Sequence, residues 1–284
     1  MSDQTTVTSK SKSQLRLITW NVNRRVVRMS EQVQALVACQ PDIIALQEVT
    51  GTTQPLLHDL FRQSGYPFVV DNLDVAGAKS RNVLMVASSW QITRLVTDHH
   101  GSLPALTRPE AVLTAALQTP FGEIDLYNTH IPTTGNGQDI KLGMVDAFYQ
   151  WLGSSTRQPR LVCGDFNMPR LETVEGELIT FGQRLRKNGT FAVVNALEDR
   201  IERQIMLKLA EVDLLDVFRQ VNGYTPQDSS WYAKNRGRAF GFRLDHIFAS
   251  RILNPVSCRY LHDLRETGLS DHSALEATFI PTIP

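Results

Sequence analysis

Six strings of polar residues stand at or beside the ends of apolar runs, and their side chains share one chemistry. The run Leu15 to Trp20 leads into Asn21-Val22-Asn23, and Ile43-Ile44-Ala45-Leu46 leads into Gln47-Glu48. Leu126-Tyr127 leads into Asn128-Thr129-His130, and Leu161-Val162-Cys163 into Gly164-Asp165-Phe166-Asn167. Arg243-Leu244-Asp245-His246 and Ser270-Asp271-His272 complete the set. Glu48, Asp165, Asp245 and Asp271 supply carboxylates, Asn21 and Asn167 amides, His130 and His272 imidazoles. Carboxylate and amide oxygens suit a hard cation such as Mg²⁺ or Mn²⁺. Zinc is disfavoured, because there is no HExxH string and no close Cys/His cluster. A hard cation beside imidazoles and an amide suits attack of water on a phosphodiester. One group orients the water, the metal polarises a phosphoryl oxygen, and donors hold the developing charge. Each string alone is a weak signal, since a lone strand-end Asp or a lone His is more often structural. The weight lies in all of them occurring together.

The elements that position these groups read as an α/β pattern. Apolar runs over 15–20, 43–46, 83–87, 111–117, 124–128, 161–163, 244–249 and 274–280 predict strands. Ser30 predicts the cap of a helix carrying Val33, Leu36 and Val37, stopped by Pro41. A second helix is expected after Pro55, with Leu56, Leu57, Leu60 and Phe61 on one side. Leu142, Val145, Phe148 and Leu152 give a third helical stripe. Residues 195–220 read as the longest helical region, and 170–195 as an insertion or surface excursion. Sites in such chains collect where strands end, because a rigid scaffold holds the loops there.

Composition sets outer bounds. The chain has 284 residues, 42% hydrophobic and 20% charged, which excludes wholesale disorder. Basic and acidic residues balance at 29 each, so any polyanion must be met by a local patch. Three scattered cysteines exclude a disulfide framework and point to a reducing, cytoplasmic setting. No apolar run is long enough for a membrane span, and the start has no secretory apolar region. The expected organisation is a polar flexible tail over 1–14 and one catalytic domain over 15–284, most simply a monomer.

The order of the motifs, from Ile18-Thr19-Trp20-Asn21 to Leu269-Ser270-Asp271-His272, resembles the endonuclease/exonuclease/phosphatase superfamily. Its exonuclease III, abasic-site endonuclease and deoxyribonuclease I-like branches are the nearest in pattern. The pairing of Gly164-Asp165-Phe166-Asn167 with Ser270-Asp271-His272 is the specific part. The resemblance implies a four-layer α/β sandwich, two packed mixed β-sheets flanked by helices. It implies a metal held by Glu48 with Asn21 assisting, and Asp271 in metal binding or in the surrounding hydrogen bonds. Asp165 is implied to orient or deprotonate the water, and Asn167 to steady it or a phosphate oxygen. His272 is implied to contact the scissile phosphate, with Asp245 fixing its orientation.

The substrate is legible in outline. The stretch from Trp231 to Arg243 carries four basic residues, four aromatics and no acid. Cations meet phosphates, and aromatics stack on bases or sugars. Trp231, Arg236, Arg238 and Phe242 are therefore expected substrate contacts, with Trp231 and Phe242 partly in the core. Asn23 joins them, at a position where the exonuclease III branch carries a polar residue near the metal. Lys79, Arg81, Asn82 and Arg108 are weaker contacts. His246 reads as a supporting residue. One departure stands out: abasic-site endonucleases show Tyr-x-Pro-Asn where this chain has His130-Ile131-Pro132-Thr133. An imidazole there can donate to a leaving oxygen. The expectation is metal-dependent hydrolysis of DNA by water, endo- or exonucleolytic, in DNA repair. The alternatives are a phosphatase or phosphodiesterase for a small phosphorylated molecule or lipid headgroup, an RNA nuclease, or a scaffold without chemistry.

Overall fold

The computed structural model describes residues 13–96, 106–154, 159–235 and 238–282. Its first half runs β1 (Leu15–Asn21), α1 (Met29–Ala38), β2 (Ile43–Val49), α2 (Gln54–Gln63), β3 (Phe68–Asp71), α3 (Leu73–Ala76), β4 (Val83–Ser88), β5 (Ile92–Val96), β6 (Val112–Thr119), β7 (Gly122–His130), α4 (Gln138–Ser154) and β8 (Arg160–Asp165). Four short strands follow: β9 (Leu171–Glu172), β10 (Leu178–Ile179), β11 (Gln183–Leu185) and β12 (Phe191–Val193). Then come α5 (Ala196–Lys208), β13 (Leu215–Asp216), α6 (Val217–Asn222), the hairpin β14 (Trp231–Asn235) and β15 (Arg238–Phe242), β16 (Asp245–Ala249), β17 (Pro255–Leu261), α7 (His262–Glu266) and β18 (Ala274–Phe279).

Two six-stranded sheets dominate, ordered β17-β18-β1-β2-β4-β3 and β13-β16-β8-β7-β6-β5. Each is mixed: β1/β2 and β7/β8 are parallel, and the remaining neighbours are antiparallel. Strand alternation sorts the apolar residues into layers. Leu15, Leu17, Ile43 and Ala45 from one sheet meet Leu126, Leu161, Cys163 and Ile247 from the other in a core between the sheets. Ile18, Trp20, Ile44 and Leu46 face outward against α1 and α2. Tyr127, Val162 and Phe248 face outward against α4 and α5. The result is the expected four-layer α/β sandwich. Strands covered on both faces read as continuous apolar runs, which is why β2 shows no polar alternation.

The structure corrects several sequence expectations. Ser30 lies inside α1, and Arg28 precedes the helix without a capping side chain, bonded to Glu31 at 2.6 Å. The longest helix is α4, at 17 residues. The 195–220 stretch divides because Asp213 takes a left-handed backbone (φ 61) and Leu215–Asp216 then joins the sheet edge. Asp216 also caps α6 by accepting from Arg219 N. The 170–195 stretch carries two small antiparallel ribbons, β9/β10 and β11/β12. The basic aromatic stretch is a regular hairpin, with Trp231 opposite Phe242. Cys39, Cys163 and Cys258 are free thiols, as their spacing implied. Among the described residues no helix is long and apolar enough to cross a membrane.

Candidate active site

Strand register brings the motifs together. Parallel pairing of β1 with β2 sets Asn21 beside Gln47, so Asn21 and Glu48 share one edge of the first sheet. Parallel pairing of β7 with β8 sets His130 beside Asp165, and antiparallel pairing of β8 with β16 sets Asp245 on the other side of Asp165. Asp271 and His272 arrive on the turn that enters β18. Local backbone then aims the side chains. The ladder between β2 and β4 shifts between Leu46 and Val49, and Glu48 at that irregularity has φ 57. A bulge of this kind re-aims a side chain at the end of a strand. Asn167 also has a left-handed backbone, φ 51, two residues past Asp165. Gly164 packs so closely that a Cβ would sit 1.9 Å from Thr129 O.

Asp165 is the hub. Its Oδ2 accepts from Asn21 Nδ2 at 3.0 Å, and its Oδ1 accepts from Asn167 N at 2.9 Å. His130 Nε2 and His272 Nε2 stand 3.7 and 3.8 Å from Oδ2. His272 Nδ1 donates to Asp245 Oδ2 at 2.8 Å. Burial alone would lower the His272 pKa, but the charges of Asp245 and Asp165 overcome it and raise the ring to about 10. The two carboxylates thus favour the protonated ring. Ser270 Oγ donates to Asn21 O at 2.6 Å and accepts from His272 N at 3.2 Å, joining the turn to β1. Asn167 Nδ2 donates to Ile131 O at 2.8 Å, and Lys141 Nζ donates to Asn167 O at 3.3 Å.

These groups open onto a cavity of about 340 Å³. Of the expected site residues, Asn21, Glu48, His130, Asp165, Asn167, Trp231, Phe242, Asp271 and His272 line it. Asp245 sits behind His272, fully buried. Asn23 is not on the cavity wall; its backbone N donates to Asn21 Oδ1 at 2.9 Å. Arg236 lies outside the described residues. Arg238 is described only as backbone of β15, opposite Asn235. Trp231 and Phe242 are half-buried, and Trp231 Nε1 donates to Asp271 Oδ2 at 3.2 Å. His246 is buried away from the cavity and bonds Met168 O at 2.8 Å, a supporting contact. The sequence reading missed Lys141, Thr133, Thr134, Phe181 and Leu244 on the wall. Lys141 had a signal: it is a charge beside Leu142, within the span that carries the apolar stripe of α4.

The donor set fits a hard cation. Asp165, Asp245 and His272 offer ligand atoms all within 4.8 Å of one another. Oδ1 of Asp245 is buried without a hydrogen-bond partner. Glu48, Asn21 and Asp271 add oxygen donors on the same wall. Carboxylate and amide oxygens are the harder donors and suit Mg²⁺ or Mn²⁺ better than the imidazole.

Residues 18–272 match the sequence profile of the Endonuclease/Exonuclease/phosphatase family. The chain belongs to this family. It is 23% identical over 283 residues to an exodeoxyribonuclease III of Haemophilus influenzae, covering 93% of this chain and 100% of the relative. An AP endonuclease structure from Archaeoglobus fulgidus superposes with TM-score 0.72 at 23% identity, over 93% of this chain and 99% of that one. A Neisseria 3′ phosphatase, NExo (D146N), solved with a product DNA hairpin, gives TM-score 0.69 at 22% identity, over 93% and 99%. At these identities the structural likenesses speak to the fold. Membership of the Endonuclease/Exonuclease/phosphatase family, with the Asp165, Asp245, His272 cluster, supports metal-dependent hydrolysis of phosphoesters.

Proposed function

We propose that this chain hydrolyses phosphodiester bonds in DNA with water as nucleophile, using Mg²⁺ or Mn²⁺ held by Glu48 together with Asn21 and Asp271. The observation that carries the reading is the convergence on Asp165 of Asn21, His130 and the His272–Asp245 pair, beside an aromatic wall. The bound cation supplies positive charge that polarises a phosphoryl oxygen. Asp165, anchored by Asn21 Nδ2 and Asn167 N, accepts the proton of the attacking water. His272 has its Nδ1 proton committed to Asp245, which leaves Nε2–H to donate to the phosphate. Asn167 Nδ2 has a second hydrogen beyond the one given to Ile131 O, available to the water or a phosphate oxygen. His130 Nε2, 3.8 Å from Glu48 Oε1 and 3.7 Å from Asp165 Oδ2, is in reach of a leaving oxygen. Following the family pattern, the 3′-oxygen is the leaving group, so in-line attack leaves a 5′-phosphate and a 3′-hydroxyl.

DNA is favoured by the wall. Phe181 and Phe242 stack at 6.0 Å with 14° between planes, and Trp231 packs on Phe242 at 5.9 Å. Such a surface takes a base or sugar. The activities named for the relatives, an exodeoxyribonuclease, an AP endonuclease and a phosphatase bound to a DNA hairpin, support the same choice. DNA repair is the cellular role proposed with it. Hydrolysis of a terminal phosphomonoester is the second reading, favoured by His130 and by the 3′ phosphatase among the structural likenesses.

The test is a panel of end-labelled single-stranded, duplex, nicked and abasic DNA, RNA and a generic phosphomonoester, with Mg²⁺ or Mn²⁺. Asp165→Asn runs alongside to exclude contaminants. DNA cut by the unmodified chain and spared by the variant supports the nuclease, and the product ladder separates endo from exo. Hydrolysis of the phosphomonoester alone overturns it.

A further inference from the structure

A second cavity, of about 190 Å³, shares Glu48, His130 and Thr133 with the first but has none of its aromatics. Its other walls include Arg24, Asn82, Arg108 and Glu110. The two cavities thus face the same carboxylate and imidazole, one offering rings and the other guanidiniums.

Arg24 is built into this place. Asn23 and Arg24 both adopt the left-handed backbone, φ 52 and 53, and Arg24 N donates to Glu48 O at 3.2 Å. That turn brings the guanidinium to the Glu48 carboxylate. Nη2 donates to Glu48 Oε1 at 3.1 Å and to Asn82 Oδ1 at 2.9 Å, while Nε donates to Arg81 O at 3.2 Å. A guanidinium has five N–H donors, so these three contacts leave capacity for an anion. The side chain is 36% exposed and therefore within reach of a ligand. Arg108 is similarly accessible and pairs with Glu110 at 2.8 Å.

The charges in the cavity balance. Arg24 and Arg108 are offset by Glu48 and Glu110, so an entering anion meets little net attraction. A divalent cation at Glu48 changes this in two ways. It would compete with Arg24 for the Glu48 carboxylate, and it would cancel the carboxylate charge, leaving the guanidiniums in excess. We infer that the Arg24–Asn82–Arg108 cavity is a phosphate subsite for a second phosphate of the nucleic-acid strand, switched on by the cation at Glu48. This rests on the nuclease reading and deepens it: a substrate must carry a phosphate beyond the reacting one to use both cavities.

The test uses the full chain in an Asp165→Asn background, so that DNA is bound without turnover. Mn²⁺ binding is read by electron paramagnetic resonance, and binding of a fluorescein-labelled DNA hairpin by anisotropy with and without Mn²⁺. Circular dichroism checks that each variant is folded. Arg24→Gln is expected to bind Mn²⁺ about threefold more tightly, because Glu48 loses a competitor, and DNA in Mn²⁺ about tenfold more weakly. Arg108→Gln is expected to weaken DNA binding similarly with the Mn²⁺ affinity unchanged. One neutral methylphosphonate, scanned along the hairpin, should reproduce the loss at a single flanking position in the parent and add nothing in Arg24→Gln. Equal DNA affinity of parent and both variants in Mn²⁺ overturns the subsite while leaving the nuclease reading intact. A parent that binds no DNA yet, with Asp165 restored, hydrolyses a phosphomonoester overturns both.

Discussion

A lysine ammonium with 2% of its side chain exposed needs a partner, and Lys141 has one in Glu202 at 2.6 Å. The same Nζ reaches Asn167 O at 3.3 Å, so the pair ties α5, α4 and the turn after Asp165 into one unit. Stability and positioning are separable here. Lys141→Met strands the Glu202 carboxylate and is expected to cost about 4 kcal/mol in urea unfolding. Lys141→Met with Glu202→Leu replaces the pair by apolar volume, leaving Phe181 N without its acceptor at 2.9 Å, and should recover to within about 2 kcal/mol of the parent. The hold on Asn167 stays lost in both, so kcat should fall about tenfold in each. A double variant with parental kcat would reduce Lys141 to a packing role. The sequence announced most of this site because six strings of carboxylates, amides and imidazoles stand together at the ends of apolar runs, although each alone is more often structural. Lys141 and Arg24 stayed hidden for opposite reasons: one charge lies within a helix the pattern marks as buried, and the other in a polar loop where charges are unremarkable.

Register is the property of elements that matters most, and Gly164 guards it. It pairs with Thr129 on β7 and with His246 on β16, one step before Asp165. Its φ of +134 and the 1.9 Å approach to Thr129 O leave no room for a methyl group. Gly164→Ala is expected to cost about 3 kcal/mol and to abolish activity by shifting Asp165, read by thermal melts and the labelled-DNA assay. Behind β16 lies a buried ion network in which Arg243 bonds Asp216 and Glu172, both at 2.6 Å. Burial pushes the Asp216 carboxyl up, but Arg243 and His246 more than offset it and hold the group well below the usual carboxylate range. A depressed carboxyl adds stability that is complete above its unfolded pKa, about 3.9, and is lost as pH falls below that. Asp216→Asn should therefore cost about 3 kcal/mol near neutral pH and make the acid decline of stability below about pH 4 shallower. A decline of unchanged slope would assign acid sensitivity to other groups. Interior strands were legible as apolar runs; the edge strands β3, β5 and β17, paired on one side only, carry a weaker pattern. The hairpin β14/β15 was hidden because its residues are polar and aromatic together.

At the scale of the whole molecule, the site belongs to neither sheet. Asn21 and Glu48 come from the first sheet, His130, Asp165 and Asp245 from the second, and the bond from Asn21 to Asp165 crosses between them. The apolar layer between the sheets holds them together but is non-directional and tolerates sliding. Alignment needs directional contacts, and besides the Asn21–Asp165 bond a buried bridge at Asn128 supplies several of them. Asn128 of β7 accepts from Gln47 Nε2 at 2.7 Å and donates to Leu46 O at 2.9 Å and Met85 O at 3.1 Å, all on the first sheet. Gln47 also donates to Thr19 Oγ1 at 2.9 Å, so the bridge extends to β1. Asn128→Leu keeps the volume and removes the direction. Unfolding free energy should fall by about 3 kcal/mol from the three lost hydrogen bonds to Gln47, Leu46 O and Met85 O. Because Asn21 and Asp165 are then free to drift apart, kcat should fall about tenfold even without denaturant, where the chain is still folded by circular dichroism. In the parent, urea should remove activity and ellipticity at the same midpoint, since no half of the sandwich contains a complete site. A variant that loses the stability but keeps kcat within about twofold would mean that apolar packing alone sets the alignment of the two sheets.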